Sequence, residues 1–126
     1  MSVGDVHWVE FGSGAGRAQA GRRPAVVVQS EAACTALPTT LVIPLTSQQD
    51  ALRFPGTVLI DPTPDNGLPR ISVALVFQLT VVDWRFVSSK IGRVSNDVLK
   101  QLWLALDELT ERPVTPVEAN DGSIGV

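Results

Sequence analysis

Gly21-Arg22-Arg23-Pro24-Ala25-Val26-Val27-Val28-Gln29-Ser30 is the stretch whose reading decides the fold. Its apolar run, Ala25 to Val28, is short and mostly β-branched, so the pattern predicts a strand over Ala25–Ser30, buried on both faces. Pro24 lacks a backbone N–H and has a fixed φ, which fits the first residue of such a strand. The segment before it, Gly12 to Gly21, holds four glycines and three alanines without periodicity and reads as a flexible loop. Two guanidinium groups therefore stand where a loop meets a rigid strand, an arrangement suited to holding a phosphate.

On the N-terminal side, Val6 to Phe11 alternates as a strand, with His7, Val9 and Phe11 on one face and Val6 and Trp8 on the other. On the C-terminal side, Glu31 to Thr39 has no period, and Thr40 to Thr46 reads as a third strand. Pro44 inside that strand marks an edge or a bulge. Gly56 to Ile60 is a fourth strand, Asp61 to Pro69 is dense turn chemistry, and Ile71 to Val82 is the longest strand expected. Arg85 to Ser88 and Lys90 to Val94 add one or two short strands. One helix is expected over about 95–112, capped by Ser95 or Asn96 and ending before Pro113. Its apolar stripe is Val98, Leu99, Leu102, Trp103, Leu106 and Leu109. Short strands separated by turns predict a mainly β domain over residues 1–112, a small barrel or strongly bent sheet closed by a C-terminal helix. Residues 113–126 read as a disordered acidic tail.

A chain of 126 residues bounds the molecule to one domain. No apolar stretch is long enough to span a bilayer, and Met1 to Asp5 lacks a basic segment followed by an apolar one, so a cytoplasmic location is expected. Cys34 stands alone, which excludes an intrachain disulfide and cysteine-ligated zinc. The net charge of −3 conceals an asymmetry: residues 1–106 carry eight acidic against nine basic side chains, with a basic cluster at Arg17, Arg22 and Arg23. That permits a small anionic site but excludes broad, charge-driven binding of nucleic acid.

Gly12, Gly14 and Gly16 follow a strand, yet a nucleotide cradle needs a helix directly after them; here Arg-Arg-Pro and a strand follow. His7, the only histidine, is either a general base or, more commonly for a lone strand histidine, a packed one. No serine stands in a nucleophile elbow, and ligands for a metal are lacking. Arg22 and Arg23, or Thr46-Ser47-Gln48-Gln49, would each pass alone for polar surface. Together, guanidinium groups at one strand end and hydroxyl and amide groups at another supply a polar cleft suited to a phosphodiester.

Four segments then carry a family likeness: Gly4-Asp5-Val6-His7-Trp8-Val9-Glu10-Phe11, Gln19-Ala20-Gly21-Arg22-Arg23-Pro24-Ala25-Val26-Val27-Val28, Ile43-Pro44-Leu45-Thr46-Ser47-Gln48 and Lys90-Ile91-Gly92-Arg93-Val94. In this order, from Gly4 to about Leu109, the chain resembles the MazF/PemK (Kid-like) toxin endoribonucleases. The resemblance implies an SH3-like β-barrel with a C-terminal helix, acting as the toxin of a type II toxin–antitoxin system. It implies a homodimer that cleaves single-stranded RNA sequence-specifically, without metal or cofactor, leaving a 2′,3′-cyclic phosphate and a 5′-hydroxyl. A cognate MazE-like antitoxin would block the RNA groove with a disordered segment. By the same resemblance Arg23 and Thr46 are the catalytic pair. Arg17, Gln19, Arg22, Ser30, Ser47, Gln48, Phe77 and Gln78 fall where RNA is bound.

Three positions depart from the family pattern. Ala18 stands where many members have a glutamate, Phe77 where many have an acid, and Thr80 where a base is common. Two alternatives share the scaffold: a non-enzymatic toxin of the CcdB type, which acts on DNA gyrase by protein contact, and a catalytically impaired member that only binds its antitoxin. The Arg23–Thr46 pair favours the nuclease; Ala18 keeps the last alternative open.

Overall fold

The computed structural model describes residues 1–12 and 21–113. Strand β1, Asp5–Glu10, and strand β2, Arg22–Val27, form an antiparallel hairpin. Its loop is pinched at the base, where Phe11 N–H donates to Gly21 O at 2.9 Å and Gly21 N–H to Gly12 O at 2.7 Å. Arg17, Ala18 and Gln19 fall outside the described residues.

β2 begins earlier than expected and takes Pro24 inside it, because Arg22, Arg23 and Pro24 pair with Glu10, Val9 and Trp8 of β1. The Phe11–Gly21 bond fixes which pairs of this hairpin exchange hydrogen bonds, and Trp8↔Pro24 falls between them. The nitrogen of Pro24 therefore faces away from β1, toward the next strand. There the ladder stops: β2 pairs with β3, Thr39–Thr46, only through Val27↔Val42, Val26↔Ile43 and Ala25↔Pro44.

Between β2 and β3 lies a short helix, α1, Glu31–Ala36, where the sequence showed no period. Ser30 caps it, its Oγ accepting from Ala33 N–H at 3.2 Å. A helix this short that buries no residue leaves no periodic trace.

The long strand expected over Ile71–Val82 is broken in two. β4, Thr57–Ile60, pairs with β5, Ser72–Leu75, and β5 pairs in turn with the C-terminal end of β3. A 3-10 turn over Val76–Gln78 follows, and then β6, Thr80–Asp83, pairs with the N-terminal end of the same β3 edge. From Val42↔Thr80 to Leu45↔Ala74, β3 advances three residues while its partner covers six, so three are looped out. Pro44 sits opposite this excursion and has no N–H to leave unpaired. After a further 3-10 turn, Trp84–Phe86, the one or two short strands expected next are one strand, β7, Val87–Arg93, on the outer edge of β1. The order is β4-β5-β3-β2-β1-β7 with β6 also on β3, a strongly bent, barrel-like sheet.

Alternate residues of β2 enter different cores, as burial on both faces requires. Val26 joins Val6, Ile43, Leu45, Ile60 and Leu102 on the side of the C-terminal helix, whereas Ala25 and Val27 pack with Val9 and Val42 beneath Cys34 of α1. The C-terminal helix, α2, runs Asn96–Thr110 with Ser95 as its cap. Its buried stripe is Leu102 and Ala105 flanked by Val98, Leu99 and Leu106, so Ala105 takes the place expected for Trp103, which is exposed. Leu109 is also partly exposed and lies over Gly56.

The turn over 61–69 is held by buried Asn66, whose Oδ1 accepts from Thr63 and Leu68 N–H at 3.0 Å while Nδ2 donates to Asp61 O at 2.9 Å. It docks on β7 through Arg93 N–H to Asp65 O, 2.8 Å. Gly67, at φ +65°, is required there, since a Cβ would fall on the Ile91 carbonyl. This docking fixes where the chain re-enters the sheet at Pro69 and Arg70.

Asp5 is anchored at the same end of β7, opposite Arg93. Its buried carboxylate accepts from Ser2 N–H at 2.9 Å and lies 3.3 Å from Lys90 Nζ and 3.1 Å from an Arg93 guanidinium nitrogen. Burial alone would raise its pKa; the Ser2 hydrogen bond and the two cations outweigh that and hold it below the ordinary value. A depressed carboxylate contributes stability that is present above the unfolded pKa, about 3.9, and lost as pH falls through the lower folded value. Asp5→Asn should therefore cost about 1.5–3 kcal/mol at pH 7. In urea unfolding the gap from wild type should close toward pH 2.5; an equal gap at both pH values would contradict this linkage.

Candidate functional site

The β2–β3 register builds the site. Continued two residues beyond its last pair, Ala25↔Pro44, it sets Arg23 opposite Thr46 on the same face. Because Pro24 has no N–H to offer β3, the strands are released from one another at this point. A cleft of ≈ 200 Å³ opens there. Arg22 and Arg23 form its β2 wall, Thr46 and Ser47 its β3 wall, and Arg70 and Ser72 its β5 side, with Trp8 also lining it.

Each wall is held in place. The Arg22 guanidinium carbon lies 4.5 Å from the centroid of the Trp8 ring, a cation–π contact that orients it. Thr46 is buried, and its Oγ1 accepts from Gln48 N–H at 3.1 Å, which leaves the hydroxyl proton for another acceptor. Ser72, opposite Ser47 when the β3–β5 register is continued by one residue, donates its hydroxyl to Arg70 O at 3.1 Å. Arginine is permanently charged, so the cleft pairs fixed positive charge with hydroxyl donors. Its chemistry suits an anionic ligand with several acceptor oxygens.

The sites expected from sequence divide as follows. Arg22, Arg23, Thr46 and Ser47 come together, with Gln48 bonded to Thr46 from the adjoining turn. Phe77 is 40 % exposed in the 3-10 turn beside Gln78 and is not a core residue; it packs on Phe54, ring centroids 5.6 Å apart. Ser30 caps α1 beyond the opposite end of β2 from Arg23 and does not join the cleft. Arg17 and Gln19 fall outside the described residues. His7 is packed: its Nδ1 donates to Ser88 O at 2.8 Å, and Nε2 is buried without a partner among the described residues. Among those residues no group of three His, Cys, Asp or Glu is placed to hold a metal ion, and no helix is long and apolar enough to cross a membrane.

Sequence reasoning missed Trp8, Arg70 and Ser72. A signal for Arg70 was available: like Arg23 it stands where a loop enters a strand, beside a proline. A larger groove, ≈ 610 Å³, runs between β4 and α2, but Asp107, Glu108 and Glu111 line it and would repel a phosphate.

Known proteins resemble the chain in sequence and in fold. Residues 2–110 match the family described as PemK-like, MazF-like toxin of type II toxin–antitoxin system. The chain is 29 % identical over 103 residues to endoribonuclease EndoA of Bacillus subtilis, covering 82 % of this chain and 88 % of that one. Crystalline MazF of Deinococcus radiodurans superposes with a TM-score of 0.75 at 28 % identity, over 88 % of this chain and 96 % of the other. A mycobacterial endoribonuclease solved in complex with its cognate antitoxin shares the fold at a TM-score of 0.72 and 16 % identity, over 91 % and 99 % of the two chains. With nearly all of its described residues inside the match, the chain belongs to the PemK-like, MazF-like toxin family of type II toxin–antitoxin systems.

Proposed function

We propose that this chain is a sequence-specific endoribonuclease that cleaves single-stranded RNA in the cytoplasm, as a homodimer restrained by a cognate antitoxin. The observation that carries the reading is the Arg23–Thr46 pair set across a cleft by the β2–β3 register. The endoribonuclease name of the Bacillus relative supports it over the gyrase-binding alternative.

RNA brings its own nucleophile, so no side chain has to attack. The 2′-hydroxyl displaces the 5′-oxygen in line, leaving a 2′,3′-cyclic phosphate and a 5′-hydroxyl. Negative charge grows on the non-bridging oxygens as the new bond forms. Arg23 donates two hydrogen bonds to those oxygens, and its charge counts most where theirs is greatest. The Thr46 hydroxyl holds the same phosphate or the departing oxygen. Arg22, Ser47, Gln48, Phe77 and Gln78, with Arg17 and Gln19 of the loop, contact the flanking nucleotides; Phe77, exposed, offers a ring face for stacking.

The homodimer reading has a surface to support it. Leu37, Val81, Trp84 and Phe86 are exposed on or beside β6 and its turn into β7. Light scattering at micromolar concentration should give twice the chain mass, and a monomer alone would remove the dimer from the account.

On a long single-stranded RNA in EDTA, Arg23→Ala should lose at least about a hundredfold in cleavage rate, and Thr46→Ala roughly ten- to a hundredfold, with unchanged unfolding midpoints. Near-normal turnover by Arg23→Ala would refute the assignment. No carboxylate or imidazole is among the described residues lining the cleft, and residues 13–20 contain none. The rate should therefore climb steadily from about pH 5.5 to 8.5, as hydroxide-assisted loss of the 2′-proton dictates. A limb titrating near pH 6 would instead mark a protein base.

A further inference from the structure

We infer that Arg70 is a positioning residue that grips the RNA phosphate next to the one being cleaved, an assignment that rests on the nuclease reading. Most other cations of the described chain are engaged by an acid or a ring. Arg53 pairs with Asp50, Arg85 with Asp83, Arg112 with Asp107, and Lys90 and Arg93 with Asp5, while Arg22 lies over Trp8. Arg70 lines the same cleft as Arg23 and Thr46, yet no carboxylate, carbonyl or aromatic ring among the described residues takes up its guanidinium.

Its backbone is the opposite case. Buried Ser72 donates to the Arg70 carbonyl at 3.1 Å, Pro69 restricts the preceding residue, and the Asn66-centred turn is docked on β7. A permanently charged fork on a rigid base, with no counter-charge among the described residues, keeps its hydrogen-bonding capacity for a bound anion. β3 lies between the Arg23 and Arg70 walls: the Thr46↔Val73 pair sets Val73 about two strand spacings, roughly 10 Å, from Arg23, and Arg70 stands three residues before Val73. Two long guanidinium side chains lining one cleft from either side of Thr46 suit two successive phosphates of one strand. Arg23 then acts on the reacting oxygens and Arg70 sets which phosphate arrives there.

The test is Arg70→Gln and Arg70→Lys in the full chain, assayed on an RNA oligonucleotide over a series of salt concentrations. Arg70→Gln should raise KM about tenfold with kcat within about twofold of wild type. It should also make the salt dependence of binding shallower by about 0.7 in the log–log slope, the loss of one phosphate contact on a single strand. Arg70→Lys should restore that slope. A neutral methylphosphonate at the phosphate beside the cleavage point should weaken wild type similarly and add no further loss to Arg70→Gln. Unchanged KM and slope in Arg70→Gln, with wild type cleaving normally, would overturn this inference alone. A fall in kcat at constant KM would also overturn it, by placing Arg70 on the reacting phosphate. Failure of wild type to cleave RNA would instead remove the nuclease reading.

Discussion

The arrangement depends on one missing hydrogen-bond donor. Pro24 can pair with Trp8 in β1 because that position asks nothing of its nitrogen, yet it offers nothing to β3 on the other side. The β2–β3 ladder ends at Ala25↔Pro44 in consequence, while the register that it has set continues through the covalent chain. Arg23 and Thr46 are thus held in alignment beyond the end of the ladder. Buried cores on both faces of Ala25–Val27 keep that alignment rigid, since a one-residue slip would turn every valine of β2 out of its core.

Much of this was legible in the residues. The run Ala25–Val28 declared a doubly buried strand, and Ser95 with the spacing of Val98, Leu99, Leu102 and Leu106 declared the helix. Other features were hidden for physical reasons. Val76–Gln78 is apolar at its first two positions, so nothing in its pattern distinguishes a looped-out turn from continued strand; only pairing with both ends of β3 reveals the break. α1 was missed because it is brief and buries nothing, although Ser30 followed by Glu31 is a capping signal. Trp103 misled because spacing defines a stripe but not its width, and a helix lying on so small a sheet buries a narrow one.

The site was legible in halves. Arg23 and Thr46 could each be named, but that they face one another follows from register, which is a property of three strands at once. Arg70 lay outside any motif because its place depends on a turn docked against β7, where Gly67 allows an approach that no side chain could share. Charge is distributed to match. Five of the nine described cations are matched to acids close in sequence or on a neighbouring strand, and the cleft is left with positive charge and hydroxyls. An acidic chain can in this way present a locally basic groove.

The central claim is that Arg23 and Thr46 act as a unit on one phosphate. A kinetic double-mutant cycle tests it most directly, with Arg23→Ala, Thr46→Ala and the double variant compared in single-turnover cleavage of the same RNA. The account predicts that the double variant is about as slow as Arg23→Ala alone, because either loss disables the same contact with the reacting oxygens. Rate losses that simply multiply would show two independent sites and contradict it.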